Sequence, residues 1–430
     1  MRIKYNMHGV DTDKGLIPMN NWKRNIMLFI TGQTISLFGS MLVQYAITWY
    51  ITLKTQSGAM MTLSILCGFV PQILLSPFAG VWADRYDRKK MIAIADSAIA
   101  VVSILTAIVF MFGYREIWIL FAVSVLRSFG QAAHSPAVSA AYPEMVPKEH
   151  LMKVQGLSGG IQSATMILAP IAGATLLAFT SMELIFSIDF FTALLAVSTL
   201  LLFVKIPKRE CVGDGCKVDY LLDMKLGFKY IKEHTFLIPF FLFSTSVLFF
   251  IAPLAFLTPL QVVRNFGEQI WRLSAIEIGF SLGMAVGGVA IAAIGGFRNR
   301  IVTMIVALAT MAAMSFGIAL AQNFWFYLFF MFATGLALPF YNTPAVVMIQ
   351  EKVDRDYMGR VFSVMGMLSG SAMPLGMLVF GPIADAVPIG TILIGTGIIL
   401  LLIGAAVLMN RGLLRAGKKP TAPTKAAEVV

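Results

Sequence analysis

Charge is what this chain has least of. Asp, Glu, Lys and Arg make up 13% of its 430 residues, against 58% hydrophobic residues and a mean hydropathy of +0.81. A soluble domain this apolar would have too little polar surface to stay dissolved, which leaves a polytopic membrane protein. Cysteine is nearly missing. Cys67 lies in an apolar run, while Cys211 and Cys216 share one polar stretch without nearby partners, so a disulfide framework or metal site is not expected. No cofactor is expected either. The nucleotide cradle G-x-x-x-x-G-K-[ST] is absent, so the chain does not use ATP by that route, and it does not read as an enzyme. The first 24 residues have no signal-peptide apolar core, so the first span should direct insertion; Met19 offers an alternative start.

Long apolar runs are abundant. A bilayer core of roughly 30 Å takes about twenty apolar residues to cross as a helix. Twelve such runs lie near 25–53, 58–83, 91–113, 117–141, 154–179, 183–204, 236–261, 273–296, 301–321, 323–350, 361–385 and 389–410. The expected fold class is an all-α membrane protein. Its parts would be a cytoplasmic tail (1–24), a six-helix bundle (25–204), a cytoplasmic linker (205–235), a second six-helix bundle (236–410) and a polar tail (411–430). The linker's stretch Tyr220 to Lys232 sets apolar residues at helical spacing between lysines, as in a helix resting on the membrane surface.

The net charge of +11 invites a nucleic-acid reading, which its distribution refutes. With the N-terminus inside, 28 of the 33 Lys and Arg fall in cytoplasmic segments. Lys54, Arg115, Arg264 and Arg272 fall outside, and Arg127 falls within a span. This asymmetry is the positive-inside rule and places both termini in the cytoplasm. The basic charge reports topology and anionic lipid rather than a polyanionic partner.

The chain also repeats itself at an offset of 208 residues. Gly80-Val81 returns as Gly288-Val289, and His134-Ser135-Pro136-Ala137-Val138 returns as Asn342-Thr343-Pro344-Ala345-Val346. Two similar hydrophobic halves are how many carriers place a central site between domains that rock against each other.

Few residues in the spans can carry chemistry. Arg127, Gln131 and His134 stand at i, i+4 and i+7 on one helix face. Arg127 lies roughly 15 Å deep, where a charge costs at least roughly 2.5–3.5 kcal/mol and should face water or a carboxylate. The acidic candidates are Asp96, Asp189 and Glu277. Each has a plainer reading: Asp96 as a structural support of the inner face, the other two as groups solvated near the headgroups. His134 can relay a proton or simply be hydrogen-bonded. Gln33, Ser36, Ser40 and Gln44 form a polar stripe expected to face a central cavity, with Gln131 and Asn342 as further lining candidates.

The stretch Gly80-Val81-Trp82-Ala83-Asp84-Arg85-Tyr86-Asp87-Arg88-Lys89-Lys90 resembles the cytoplasmic signature G-x-L-a-D-R-x-G-R-K of the major facilitator superfamily. Trp82 replaces its leucine and Asp87 its second glycine. Arg127-Ser128-Phe129-Gly130 loosely fits the R-x-x-G of its fourth span. Gly156, Pro170 and Gly173 partly match an antiporter element of its fifth, with Ala169 and Ala172 where glycines belong. Together with Gly32-Gln33, Ile276-Glu277-Ile278-Gly279-Phe280 and Gly359-Arg360-Val361-Phe362-Ser363, these make the chain similar to the macrolide-efflux (Mef-type) branch of its drug:proton antiporters. The resemblance implies two pseudo-symmetric bundles exporting a small amphipathic compound, macrolides first, against protons. Gly80, Asp84, Arg85, Arg88 and Lys89 would form an inner gate, and Arg127 with Asp189, Asp96, Glu277 or His134 would couple protons. Lysophospholipid or siderophore carriers of the same fold are the alternative, and a non-transporting membrane partner is the more remote one. Expected partners are substrate, protons and membrane lipids, with no nucleic acid, and the chain is expected to be monomeric.

Overall fold

The computed structural model describes residues 22–207, 230–234, 236–354 and 357–418, with backbone alone at 76, 77, 80, 81, 83–85, 148, 152, 359, 360, 362 and 363. The described chain is helical nearly throughout. The first half holds α1 (Trp22–Thr55), α2 (Gly58–Arg85), α3 (Arg88–Met111), α4 (Ile117–Met145), α5 (Lys148–Phe179) and α6 (Met182–Phe203). The second holds α7 (Leu237–Phe256), α8 (Thr258–Phe266), α9 (Ile270–Ile294), α10 (Arg300–Leu320), α11 (Phe324–Lys352), α12 (Met358–Ala386), α13 (Ile389–Met409) and the short α14 (Arg411–Ala416). Among the described residues, twelve spans are long and apolar enough to cross a membrane, α7 and α8 forming one of them. That span runs to Phe266 rather than stopping near 261, and Gly267 at φ 94° ends it, a conformation glycine adopts without steric cost. Most of the linker and both tails, with Cys211, Cys216 and the basic segment Tyr220 to Lys229, lie outside the described residues.

Turn chemistry explains where several helices begin. Asp87, standing where the superfamily signature has glycine, caps α3 by accepting a hydrogen bond from the Lys90 amide at 3.3 Å. Asn299 and Asn323 cap α10 and α11 in the same way.

The two halves are packed alike. In the first, α1 lies on α5 and α6, α3 on α4 and α6, and α2 on α4; the same pairs recur in the second as α7 on α12 and α13, α10 on α11 and α13, and α9 on α11. Across the molecule α2 meets α12 and α5 meets α9, two interfaces that exchange under the 208-residue offset. The arrangement is therefore a pseudo-two-fold, the geometry expected of duplicated carriers.

Glycine lets the backbones approach where apolar burial alone would not hold helices in lipid. A Cβ on Gly283 of α9 would collide with the Phe332 carbonyl of α11, and one on Gly58 with the Gly381 carbonyl of α12. Toward the opposite end, Gly156, Gly159 and Gly160 of α5 and Gly366 and Gly370 of α12 have open space beside them. The halves are closed at the end carrying the α1–α2 turn and parted at the other.

Candidate functional site

Two buried polar tiers run through the first half. The upper joins four helices. Arg127 of α4 pairs with Asp189 of α6, their side chains 4% and 0% exposed. Ser103 of α3 donates to Asp189 Oδ2 at 2.6 Å and Ser40 of α1 to Oδ1 at 3.3 Å. The guanidinium also bonds Ser103 Oγ and, through Nη2, reaches the Ser40 carbonyl at 3.3 Å. An arginine this deep is tolerated because a carboxylate and neutral acceptors surround it. Gly39 makes room: a Cβ there would strike Thr192 and crowd Asp189, so α1 could not come close enough for Ser40 to reach.

The lower tier sits two helical turns away, about 10 Å along the axis. His134 of α4 lies 2.8 Å from Gln33 Oε1 and 3.3 Å from Asp96 Oδ1, so its Nε2–H donates between two acceptors. Ser36 donates to the same Asp96 oxygen at 3.0 Å. Asp96 Oδ2 is buried with no partner among the described residues. It is the open valence of this tier.

Several expected sites stand differently from the sequence reading. Gln33, Ser36 and Ser40 are buried and engaged by His134, Asp96 and Asp189, so the stripe turns into its own half rather than onto open space. One turn beyond Ser40 toward the α1–α2 turn, Gln44 packs near Gly68, while Gln131 is partly exposed on α4 and Asn342 is exposed on α11. Asp189 is not near a solvated headgroup; it is fully buried. Gly173 lies against the Leu42 carbonyl and Tyr45, Pro170 is inside α5, and Gly156 faces open space. Arg88 pairs with Glu144 and donates to the Ala140 carbonyl at 3.0 Å, which ties α3 to α4 within one half. Lys89 reaches the Leu201 and Val204 carbonyls at the end of α6, at 3.0 and 2.7 Å. Gly80 is described by its backbone alone, and the side chains of Asp84 and Arg85 lie outside what is described.

Sequence reasoning missed the seal at the α1–α2 end. Asp385, at the end of α12, accepts from Ser57 Oγ at 2.8 Å, the Gly58 amide at 2.6 Å and the Ala59 amide at 3.0 Å. It thus caps the first turn of α2 from the other half, where the helix dipole favours a negative charge. Together with the Arg264 guanidinium, these bonds make a network spanning both halves. Arg264 bonds Asp385 at 2.9 Å, the Ala384 carbonyl at 2.5 Å and the Gln56 carbonyl at 2.5 Å. Gln56 and Arg264 are 208 positions apart, so the pseudo-two-fold brings equivalent positions into contact, which happens only near its axis. Thr62 adds a bond to the Met377 carbonyl at 3.2 Å. The one usable signal was that coincidence of offset; the 326-residue separation of Ala59 and Asp385 leaves no local trace.

The sequence pattern of the Major Facilitator Superfamily matches residues 29–377. The chain belongs to that superfamily. Macrolide efflux protein A of Streptococcus pyogenes is 32% identical over 371 residues, covering 86% of this chain and 91% of that one. The protein of the same name from Enterococcus faecalis is 33% identical over 324 residues, covering 74% of this chain and 100% of that one. Among solved structures, an inward-facing, unoccupied bacterial homolog of the human lysosomal transporter Spinster superposes with a TM-score of 0.68. It is 14% identical and covers 94% of this chain and 100% of its own, a likeness of fold alone. This superfamily member is a multi-pass membrane transporter and not an enzyme.

Proposed function

We propose that the protein exports an amphipathic organic compound, macrolides first, across the cell membrane in exchange for protons by alternating access. The observation that carries this reading is the Arg127–Asp189 pair, fully buried within the spans of one half. Arginine is a donor only and keeps its charge, so the Asp189 carboxylate is the proton acceptor of the pair. A proton on Asp189 leaves the Arg127 charge buried and unbalanced, a state that costs several kcal/mol and is relieved only by letting water reach the pair. Proton binding and opening of the bundle are thereby the same event. Asp96 and His134, two turns nearer the parted end, supply a path along which the proton leaves.

The positive-inside charge distribution supports an orientation with the Asp385–Arg264 seal outside and the parted end in the cytoplasm. The closed-outside arrangement is then the state that loads substrate from within. Gly80, Asp84 and Arg85 would latch the inner face in the opposite state, and both termini would be cytoplasmic. The similarity to two macrolide efflux proteins supports the substrate class.

Uptake of labelled erythromycin into inverted membrane vesicles energised by a proton gradient tests this. Uptake that an uncoupler abolishes and that Arg127→Ala lacks at equal expression is expected. Uptake no greater than in vesicles without the protein would sink the macrolide assignment.

A further inference from the structure

The turn between α9 and α10 is the second-half counterpart of the α2–α3 turn, and it is held by different means. In the first half Arg88 pairs with Glu144 at the end of α4, and Lys89 donates to the Leu201 and Val204 carbonyls that end α6. The positions 208 residues on are Gly296 and Phe297, which can do neither. Gly295 and Gly296 follow one another at φ 70° and 67°, so this turn has little stiffness of its own.

The missing contacts are rebuilt with the segment that follows the last span. Arg300, at the start of α10, pairs with Glu351 at the end of α11, as Arg88 does with Glu144. Asn299 Nδ2 donates to the Leu414 carbonyl of α14 at 2.8 Å, and the Arg300 amide donates to the Gly417 carbonyl at 2.8 Å. Asn299 and Lys418 form an isolated antiparallel bridge. These bonds satisfy carbonyls that a helix end leaves without partners, as Lys89 does for α6. Asn299 is committed twice, since its Oδ1 also caps α10 by accepting from the Ile301 amide at 3.0 Å. The segment is packed as well as bonded. Leu413 is buried in the second-half core, and a Cβ on Gly417 would meet Asn299 Oδ1 and the Ile301 side chain.

We infer that the segment 411–418 is a strut of the gate at the parted end, replacing in the second half what Arg88 and Lys89 supply in the first. The inference rests on the alternating-access reading and extends it. α9 meets α5 across the halves, so its parted end has to travel when the gate closes. A turn fastened to α14 and, through Arg300, to α11 makes α9 travel with its half rather than bend away from it. The strut acts through the turn, so its residues position the gate and touch no substrate.

Three variants test this. Gly417→Val sets a side chain against Asn299 and Ile301 and prises the segment from the turn. Truncation after Asn410 removes the segment, and truncation after Lys418 spares it. Spin labels at Arg298 in the turn and Leu320 at the far end of α10 report a distance that rocking of the halves leaves unchanged. That distance should be narrowly distributed in the wild type and after truncation at Lys418, and broadened in the other two. Uptake of labelled erythromycin per molecule should fall about tenfold in those two, through loss of one or two hydrogen bonds, with binding to the purified protein unchanged. Should truncation after Asn410 prevent folding, Gly417→Val decides. Either readout at its wild-type value in both variants overturns the inference. Loss of erythromycin binding in both also overturns it, since the segment would then serve the fold alone, as does a truncation after Lys418 that is equally impaired. A wild type without uptake is instead the failure of the export reading, and the spin-label distance then decides the inference by itself.

Discussion

The two halves share one fold and divide the chemistry unequally. Where the first half has Arg127, the second has Gly335; Asp189 becomes Gly397, Ser103 becomes Met311, Asp96 becomes Met304 and His134 becomes Asn342, each 208 positions on. The helices occupy equivalent places, and the means of holding them differ. A Cβ on Gly335 would collide with the Phe280 backbone, and one on Gly397 would run into the Phe316 ring, so close packing does in the second half what an ion pair does in the first. A duplicated fold can thus place a buried ion pair in one half and close backbone packing at the equivalent positions of the other.

The sharpest way to break this comparison is to remove one member of the pair. Arg127→Ala or Asp189→Ala leaves a buried charge alone and should destabilise the protein by about 3–5 kcal/mol while abolishing transport. Thermal unfolding in detergent and vesicle uptake measure the two effects. The double variant Arg127→Met with Asp189→Leu removes both charges of the pair. If the pair serves coupling more than folding, its stability should return to wild type or somewhat above it, with transport still lost.

The second half should be intolerant in the opposite sense. Gly283→Ala and Gly335→Ala push a methyl into facing backbone and should cost about 1–3 kcal/mol by overpacking, read as a lower unfolding temperature. Enlarging Gly156, which has open space beside it, should change stability little in this conformation and obstruct closure of the inner end instead.

Asp385 joins the halves, so its loss should act on their equilibrium more than on either fold. Asp385→Asn weakens charge-assisted bonds worth about 1.5–3 kcal/mol each, and a shift of 1.4 kcal/mol is tenfold in population. Spin labels across the α1–α2 end should report a larger outward-open fraction. The smallest effect is expected at the lower tier. His134→Ala removes donors to Gln33 and Asp96 and should cost about 1 kcal/mol of stability while slowing transport several-fold.

The spans, the 208-residue offset and the shared face of Arg127 and His134 were legible because hydropathy and helical spacing are local properties. Which carboxylate meets Arg127 was not: Asp189 comes 62 residues later, and only the packing of α3 between α4 and α6 brings Ser103 and Asp189 to it. The polar stripe on α1 was visible as a stripe, but hydropathy cannot tell a cavity from a buried carboxylate as its neighbour. The seal escaped entirely, since Asp385 reads as a charge at the end of a run. Asp87 shows the reverse: read as a departure from a signature, it is an ordinary helix cap.

Export against protons by this route requires that substrate loading and proton release be linked through the Arg127–Asp189 pair. Proton release on adding erythromycin to the purified protein in weak buffer measures it directly. The wild type should release protons in proportion to substrate bound, and Asp189→Asn should bind erythromycin with no release. An Asp189→Asn protein that releases as many protons as the wild type would place coupling elsewhere and contradict the account.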